Sequence, residues 1–309
     1  MNIVRVALAV PLPRFFDYLY SPDLTPIVGG RVLVPFGSQK RVGIVVDLPA
    51  SSDVAKEKLK PIIDVLDAES LFNSTTWDWL AWSANYYRAA LGDVLFQALP
   101  VKLRNGESAV KNDRTFWRIT DLGKQALESG ELKRAKKQIE ALNLLLTQDL
   151  EKGNNEIGSA IWSALKGKDY VKEIIVPTEQ KSWQQTLGDN PLVNLDNRLT
   201  LNKQQALAFS QLLFQEGFNV WLLEGVTGSG KTEIYLQYIE EILKKGKQVL
   251  VLVPEIGLTP QTVRRFQARF NVEIDVLHSN LNDTQRLNVW ERARTGQSAV
   301  VIGTRSALF

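Results

Sequence analysis

Residues 225–232 read Gly225-Val-Thr-Gly-Ser-Gly-Lys-Thr232 and satisfy the pattern G-x-x-x-x-G-K-[ST] at every fixed place. The flanks turn that pattern into a constraint on the fold. Before it runs Asn219-Val-Trp-Leu-Leu-Glu224, which reads as a short apolar strand. After it, residues 233–244 carry apolar side chains at helical spacing. Strand, glycine loop and helix open a parallel α/β sheet. Glycines let backbone N–H groups close around phosphate oxygens, and the helix N-terminus adds partial positive charge. The spacing predicts a nucleotide cradle of Gly225, Thr227, Gly228, Ser229, Gly230, Lys231, Thr232 and Glu233. Lys231 and Thr232 are the candidate catalytic residues: Lys231 would reach the terminal phosphates of ATP and Thr232 would ligate Mg²⁺.

The alternation continues downstream. Gln248–Val253 is an unbroken β-branched and leucine run, the kind a strand buried on both faces carries. A helix is expected at 260–270, a strand at 272–277, a helix at 283–294 and a strand at 299–302. Upstream the pattern differs. Ile3–Val10, Arg31–Pro35 and Val42–Asp47 read as strands punctuated by Pro22, Pro26, Gly29, Gly30, Gly37 and Pro49, which suits a small barrel or sandwich. A helix follows from Ser74 to Arg88, capped by Ser74 or Asn73, with Trp77, Leu80, Ala81, Ala84 and Tyr87 on one core-facing stripe. Between 115 and 176 a strand, three short helices and a terminal β segment predict a winged-helix module. Its cluster Lys133, Arg134, Lys136 and Lys137 is either a phosphate contact or a solvated helix end. The expected organisation is a domain at 1–105, a second at 106–180, a linker at 181–198 and an α/β lobe at 199–309.

Composition narrows the chemistry. There is no cysteine and one histidine, His278, in 309 residues. Disulfides, thiolate metal sites and histidine-built triads are thereby excluded or left without material. No apolar run reaches the roughly 18 residues of a membrane span. A net charge of +3 permits nucleic-acid binding without requiring it.

Specific stretches then point to a family. Leu201-Asn-Lys-Gln-Gln205, the glycine loop, Val253-Pro-Glu-Ile-Gly-Leu-Thr-Pro-Gln261, His278-Ser279 and Gly303-Thr-Arg-Ser-Ala-Leu-Phe309 stand in the order seen in superfamily 2 helicases. Pro254–Gln261 and Gly303–Ala307 resemble the PriA family of bacterial primosomal replication-restart helicases. Val10-Pro-Leu-Pro-Arg-Phe-Phe-Asp-Tyr18, Arg31-Val-Leu-Val-Pro-Phe-Gly37 and Gly92-Asp-Val-Leu-Phe-Gln-Ala-Leu-Pro100 are similar to that family's 3′-end DNA-binding domain.

The resemblance implies an α/β multidomain fold: a β-rich (OB-like) 3′-DNA-binding domain, a winged-helix domain and a truncated RecA-like P-loop helicase lobe. It implies that Gln205 hydrogen-bonds adenine, and that Glu255, Thr259, Gln261, Thr304 and Arg305 touch the DNA backbone. It implies that Phe16, Asp17 and Tyr18 form a pocket for a 3′-hydroxyl DNA end, with Gly37 and Lys60 nearby. An aromatic ring there can stack on a base, and a carboxylate accepts hydrogen bonds and would repel a terminal phosphate. Arg14, Lys40 and Arg41 are further candidate phosphate contacts.

By resemblance the cofactors are ATP and Mg²⁺. Zinc belongs to the family, but its cysteine ligands are absent from this sequence. The implied partners are forked and single-stranded DNA, single-stranded-DNA-binding protein and primosome proteins, in a bacterial cytoplasm. The implied parent activity is ATP-driven 3′→5′ unwinding with primosome loading at restart. The family's acidic Mg²⁺ box, second motor lobe and arginine finger fall outside these residues. The sequence therefore predicts DNA binding with weak ATP binding and no efficient hydrolysis. It also predicts a lobe weakened at an open edge along Ala299–Ile302. A small P-loop ATPase and a winged-helix regulator are the alternatives.

Overall fold

In β1 (Ile3–Leu8), Val4, Val6 and Leu8 face one side and Ile3 and Ala7 the other, and all five are buried. A strand buried on both faces requires partners on both edges and cover on both sides. Its edge partners are β2 (Phe16–Leu19) and β4 (Gln39–Asp47), both antiparallel. With β3 (Arg31–Phe36) and β5 (Asp64–Val65) the sheet runs β2-β1-β4-β3-β5. The outer edge of β2 meets the segment that leads into β5: Leu19 bridges Pro61, and the Ile62 N–H donates to the Leu19 carbonyl at 2.8 Å. One segment thus touches both outer strands, and the sheet rolls toward closure. Residues 37–38 join β3 to β4. Gly37 has φ +60° while Ser38 stays at negative φ, the requirement of a type II′ hairpin.

The structure is a computed structural model, and it describes residues 2–108, 114–129, 132, 135–153, 157–176, 180–214, 217–254 and 257–308. Residues 1–109 with 181–309 form one compact unit, and 110–180 form another.

In the first unit α1 (Ser74–Tyr86), α2 (Leu91–Gln97) and α3 (Val101–Arg104) follow the sheet. Asn73 caps α1 by accepting from the Thr76 N–H at 2.8 Å. Leu80 and Ala84 are buried, but Tyr87 is 73% exposed and does not join the expected stripe. The helix ends at Tyr86, Tyr87 is its C-cap, and Arg88 at φ +53° turns the chain away. Gly92 of α2 lies so close to β1 that a Cβ would stand 2.0 Å from the Leu8 carbonyl oxygen.

The second unit packs β6 (Arg114–Ile119), α4 (Asp121–Glu128), α5 (Lys136–Thr147), β7 (Leu150–Glu151), α6 (Ser159–Gly167) and β8 (Val171–Val176). Its antiparallel sheet runs β7-β6-β8. Trp117 and Trp162 stack at 5.2 Å in a core with Ala141, Leu142, Leu145 and Leu165. Lys136 and Lys137 are exposed at the start of α5; Lys133 and Arg134 lie outside the described residues.

The remaining elements are α7 (Trp183–Leu187), α8 (Lys203–Leu213), α9 (Lys231–Lys244), β9 (Val249–Leu252), α10 (Pro260–Arg269), β10 (Ile274–Leu277), α11 (Asp283–Arg294) and β11 (Val300–Gly303). Their sheet is parallel, in the order β10-β11-β9. Val300 and Ile302 pack with α9 and α10, while Val301 packs with Val289 of α11 on the other face. Three expectations change here. β11 is central, with every residue buried, so Ala299–Ile302 presents no open edge. β9 is at an edge, and Leu250 and Leu252 are exposed although the run reads as doubly buried. Asn219–Glu224 forms no ladder among the described residues, and Val220 and Leu222 are 83% and 90% exposed. An apolar run codes for a strand only when neighbours supply both its hydrogen bonds and its cover.

The stretch at 181–198, which reads as a linker, is strapped to the lobe. Trp183 and Val193 are buried in its core, Val193 bridges Phe270, and the Asn194 N–H donates to the Arg269 carbonyl at 2.8 Å. Asn197 Nδ2 donates to the Ala268 carbonyl at 2.9 Å.

Candidate nucleotide loop and DNA-end site

Gly230, at φ +84°, ends the glycine loop and begins α9, so Lys231 and Thr232 occupy its first turn. A left-handed residue at this point costs little only for glycine. It places the loop directly before a helix N-terminus, whose first backbone N–H groups are the kind that bind anions. Gly228 shares the conformation at φ +84°, and residues 224–229 are exposed. Lys231 Nζ is folded onto its own loop, donating to the Gly225 carbonyl and to the Val226 carbonyl at 3.0 Å. Those carbonyls are weak competitors for an ammonium that a phosphate would attract more strongly.

Gln205 stands against this loop. Its Nε2 donates to the Ser229 carbonyl at 2.8 Å, and its Oε1 accepts from the Asn202 N–H at 2.9 Å in the capping box of α8. Both ends of the amide expected to read adenine are therefore engaged. Glu233 departs from the expected cradle. It is buried, and Oε1 accepts from Arg269 Nη2 at 3.0 Å and from Gln237 Nε2 at 2.9 Å. Its position in α9 turns the side chain toward α10, so it braces two helices instead of facing phosphate.

The C-terminal ends of β9, β10 and β11 gather the downstream motifs. Gly303 pairs with Leu252 on one side and Leu277 on the other. Thr259 caps α10 through the Thr262 N–H, Gln261 is exposed in the first turn, and Thr304 and the exposed Arg305 follow β11. Thr259, Gln261, Thr304 and Arg305 thus lie beyond one sheet edge, where ligands of parallel sheets bind. Glu255 lies outside the described residues.

In the N-terminal sheet, strand alternation divides the expected pocket. Phe16 and Tyr18 share the core-facing side of β2, and Asp17 faces the other way. The three side chains cannot line one cavity together. Tyr18 is buried and its hydroxyl donates to the Pro35 carbonyl at 3.2 Å; burial raises its proton affinity. Phe16 meets Phe36 edge-on at 5.3 Å, and Arg14 and Arg41 lie over the two rings at 5.1 and 5.5 Å. Arg14, Lys40 and Arg41 are exposed and form no ion pair among the described residues. Gly37 tips the adjacent hairpin, and Lys60 is exposed while its carbonyl accepts from the Leu19 N–H at 2.9 Å.

Asp17 is not a free carboxylate. Oδ1 accepts from Arg5 Nε at 2.8 Å, and Oδ2 accepts from Arg5 Nη2 at 3.0 Å and from the Ser52 hydroxyl at 2.6 Å. The Arg5 fork holds the carboxyl below its ordinary range against the opposing effect of burial. Arg5 also neutralises the charge that was expected to repel a terminal phosphate. Neither Arg5 nor Ser52 is legible from sequence, because their contact depends on the antiparallel register that sets Arg5 opposite Asp17. Among the described residues no cluster of three His, Cys, Asp or Glu could hold a metal ion, and no helix is long and apolar enough to cross a membrane.

A family model described as a 3′ DNA-binding domain matches residues 5–100, and one described as a DEAD/DEAH box helicase matches residues 202–309. The whole chain is 75% identical to the replication restart protein PriA of Haemophilus influenzae, over 309 residues. It is 32% identical over 315 residues to the PriA of Buchnera aphidicola from Acyrthosiphon pisum, and 28% identical over 387 residues to that of Bacillus subtilis, again along the whole chain. It spans 42% of the first two of these relatives and 47% of the third.

Proposed function

The chain belongs with the replication restart PriA proteins along its whole length, and on that premise we propose that it couples recognition of a DNA 3′ end to the nucleotide-binding front of an ATP-driven 3′→5′ DNA helicase acting at forked DNA. The observation that carries the reading is the pairing of a 3′ DNA-binding domain match at 5–100 with a helicase match at 202–309 inside one compact unit. The partly closed five-stranded sheet supports an OB-like reading of residues 1–105. Three helices on a three-stranded antiparallel sheet support a winged-helix reading of 106–180.

Within this reading the loop 225–232 holds ATP and Mg²⁺. Backbone donors of 228–232 bind phosphate oxygens, Lys231 releases its carbonyl contacts to neutralise charge, and the Thr232 hydroxyl serves the metal. Hydrolysis of bound ATP would supply the free energy for strand separation, a step these residues alone are not expected to perform efficiently. Gln205 must exchange at least one of its two present contacts to read a base. Thr259, Gln261, Thr304 and Arg305 hold the DNA backbone without reading sequence. In the N-terminal domain Asp17 accepts a donor from the terminal nucleotide, and the Phe16–Phe36 pair with Arg14 and Arg41 offers stacking and phosphate contacts. Loading of primosome proteins and contact with single-stranded-DNA-binding protein, in a bacterial cytoplasm, complete the proposed role.

Fluorescence anisotropy on forked oligonucleotides tests it. A 3′-hydroxyl fork is expected to bind more tightly than a 3′-phosphate fork, and a fluorescent ATP analogue with Mg²⁺ is expected to bind wild type but not Lys231→Ala. Equal fork affinities that fall together with salt would reduce the interaction to phosphate attraction alone and refute the end-recognition part.

A further inference from the structure

An ionised carboxylate offers about four acceptor directions, two on each oxygen. For Asp17 three are used. Arg5 Nη2 and the Ser52 hydroxyl fill Oδ2, and Arg5 Nε takes one direction on Oδ1. Among the described residues no donor fills the second direction on Oδ1. The side chain of Asp17 is 7% exposed, so the carboxylate cannot swing to recruit other partners, while Arg5 is 31% exposed. The arrangement comes from three elements at once. Arg5 on β1 stands opposite Asp17 on β2 and opposite Asp47 on β4, and Ser52 reaches in from the loop after β4.

Resting on the reading of Asp17 as a DNA-end contact, we propose that Arg5 and Ser52 are positioning residues that fix the Asp17 carboxylate with a single open acceptor direction, so that the site takes one hydrogen-bond donor from the terminal nucleotide. A terminal ribose hydroxyl is a donor of that kind. A hydrogen in its place is not, and a terminal phosphate brings acceptors to an acceptor. The carboxylate also stays ionised at the pH of binding, because the Arg5 fork favours the charged form. Loss of either positioning group loosens the aim of Oδ1. Loss of Arg5 in addition leaves a buried carboxylate that protonates more readily. The other charged groups facing this pair are Asp47 and Asp53, both exposed and both felt by Arg5. They are retained in every variant below.

The test compares forks ending in 3′-hydroxyl, 3′-hydrogen and 3′-phosphate by anisotropy between pH 5 and pH 7.5 (roughly the range in which the wild-type Asp17 stays charged). The proteins are the full chain as wild type, Asp17→Asn, Arg5→Gln and Ser52→Ala. Thermal melts of each report folding; Ser52 is in a loop, so Ser52→Ala serves should Arg5→Gln prove unstable. The wild-type preference for 3′-hydroxyl over 3′-hydrogen is expected to be flat with pH. Asp17→Asn loses it. Arg5→Gln and Ser52→Ala are expected to reduce it roughly three- to tenfold, the worth of a hydrogen bond made or missed. In Arg5→Gln the remaining preference should fall further as pH drops toward 5. Wild-type preference in both Arg5→Gln and Ser52→Ala at every pH, with Asp17→Asn defective, would overturn the positioning role and leave the DNA-end reading intact. Wild-type preference in Asp17→Asn would instead remove the reading beneath it, and this inference with it.

Discussion

Arg31 is 0% exposed, and its guanidinium ties β3 to the chain beyond α3. Nε and Nη2 grip Asp67 at 2.7 and 2.8 Å, and Nη1 donates to the Leu103 carbonyl at 2.6 Å and the Glu107 carbonyl at 2.9 Å. Arg31→Met keeps the apolar stem and removes all of these donors. It leaves a carboxylate whose side chain is 7% exposed with its charge uncompensated and only the Arg31 N–H as donor, and it takes the side-chain donor from the Glu107 carbonyl, while the Leu103 carbonyl keeps the Gly106 N–H at 3.1 Å. Breaking a buried ion pair by deleting one partner costs about 3–5 kcal/mol, because the remaining charge is uncompensated. At about 1.4 kcal/mol per tenfold, amides of the β3–β4 ladder should exchange with solvent about two to three and a half powers of ten faster. Hydrogen exchange followed by mass spectrometry reads this directly. Replacing the pair together, Arg31→Met with Asp67→Leu, should recover most of the loss, since an apolar pair of similar volume is often neutral. Less than tenfold faster exchange in the single variant, or a double variant no more stable than the single, would refute the account of Arg31 as a charge-compensating strut.

The remaining predictions concern separate parts of the chain. Gly230→Ala forces a left-handed alanine, costing about 1–2 kcal/mol, and sets a Cβ 2.3 Å from Gln205 Nε2; affinity for a fluorescent ATP analogue should fall roughly tenfold, and unchanged affinity would contradict the cradle geometry. Trp162→Ala removes half of the buried Trp117 stack at a cost of about 3–5 kcal/mol; limited proteolysis should open residues 110–180 while the 3′-hydroxyl preference of the first unit persists. For Asp17 the folded-state pKa lies below the unfolded one. Its stabilising contribution is therefore present above about pH 4 and lost as pH falls through the folded value. Urea midpoints should drop less in Asp17→Asn than in wild type as pH is lowered from neutral to below the ordinary carboxylate value of about 4. An equal drop would show that other carboxylates govern acid stability.

What the residues determined alone was local and periodic. The glycine loop and its helix, the cap at Asn73, the helix at 283–294 and the parallel strands at 249–252, 274–277 and 300–303 follow from spacing and from side chains that satisfy their own backbone. The family followed from short stretches such as Pro254–Gln261, whose order no composition could mimic. What only tertiary structure decided was which side chains meet. Asn219–Glu224 has the pattern of a strand but no ladder among the described residues. Glu233 belongs by position to the cradle, yet α10 supplies Arg269 and turns it inward. Arg5 and Ser52 are 12 and 35 residues from Asp17 and reach it through sheet register and a loop. Periodicity fixes the face on which a side chain emerges. The partner that face finds is set by strands and helices distant in sequence, and burial then makes that pairing strong enough to fix a charge, an orientation or a site.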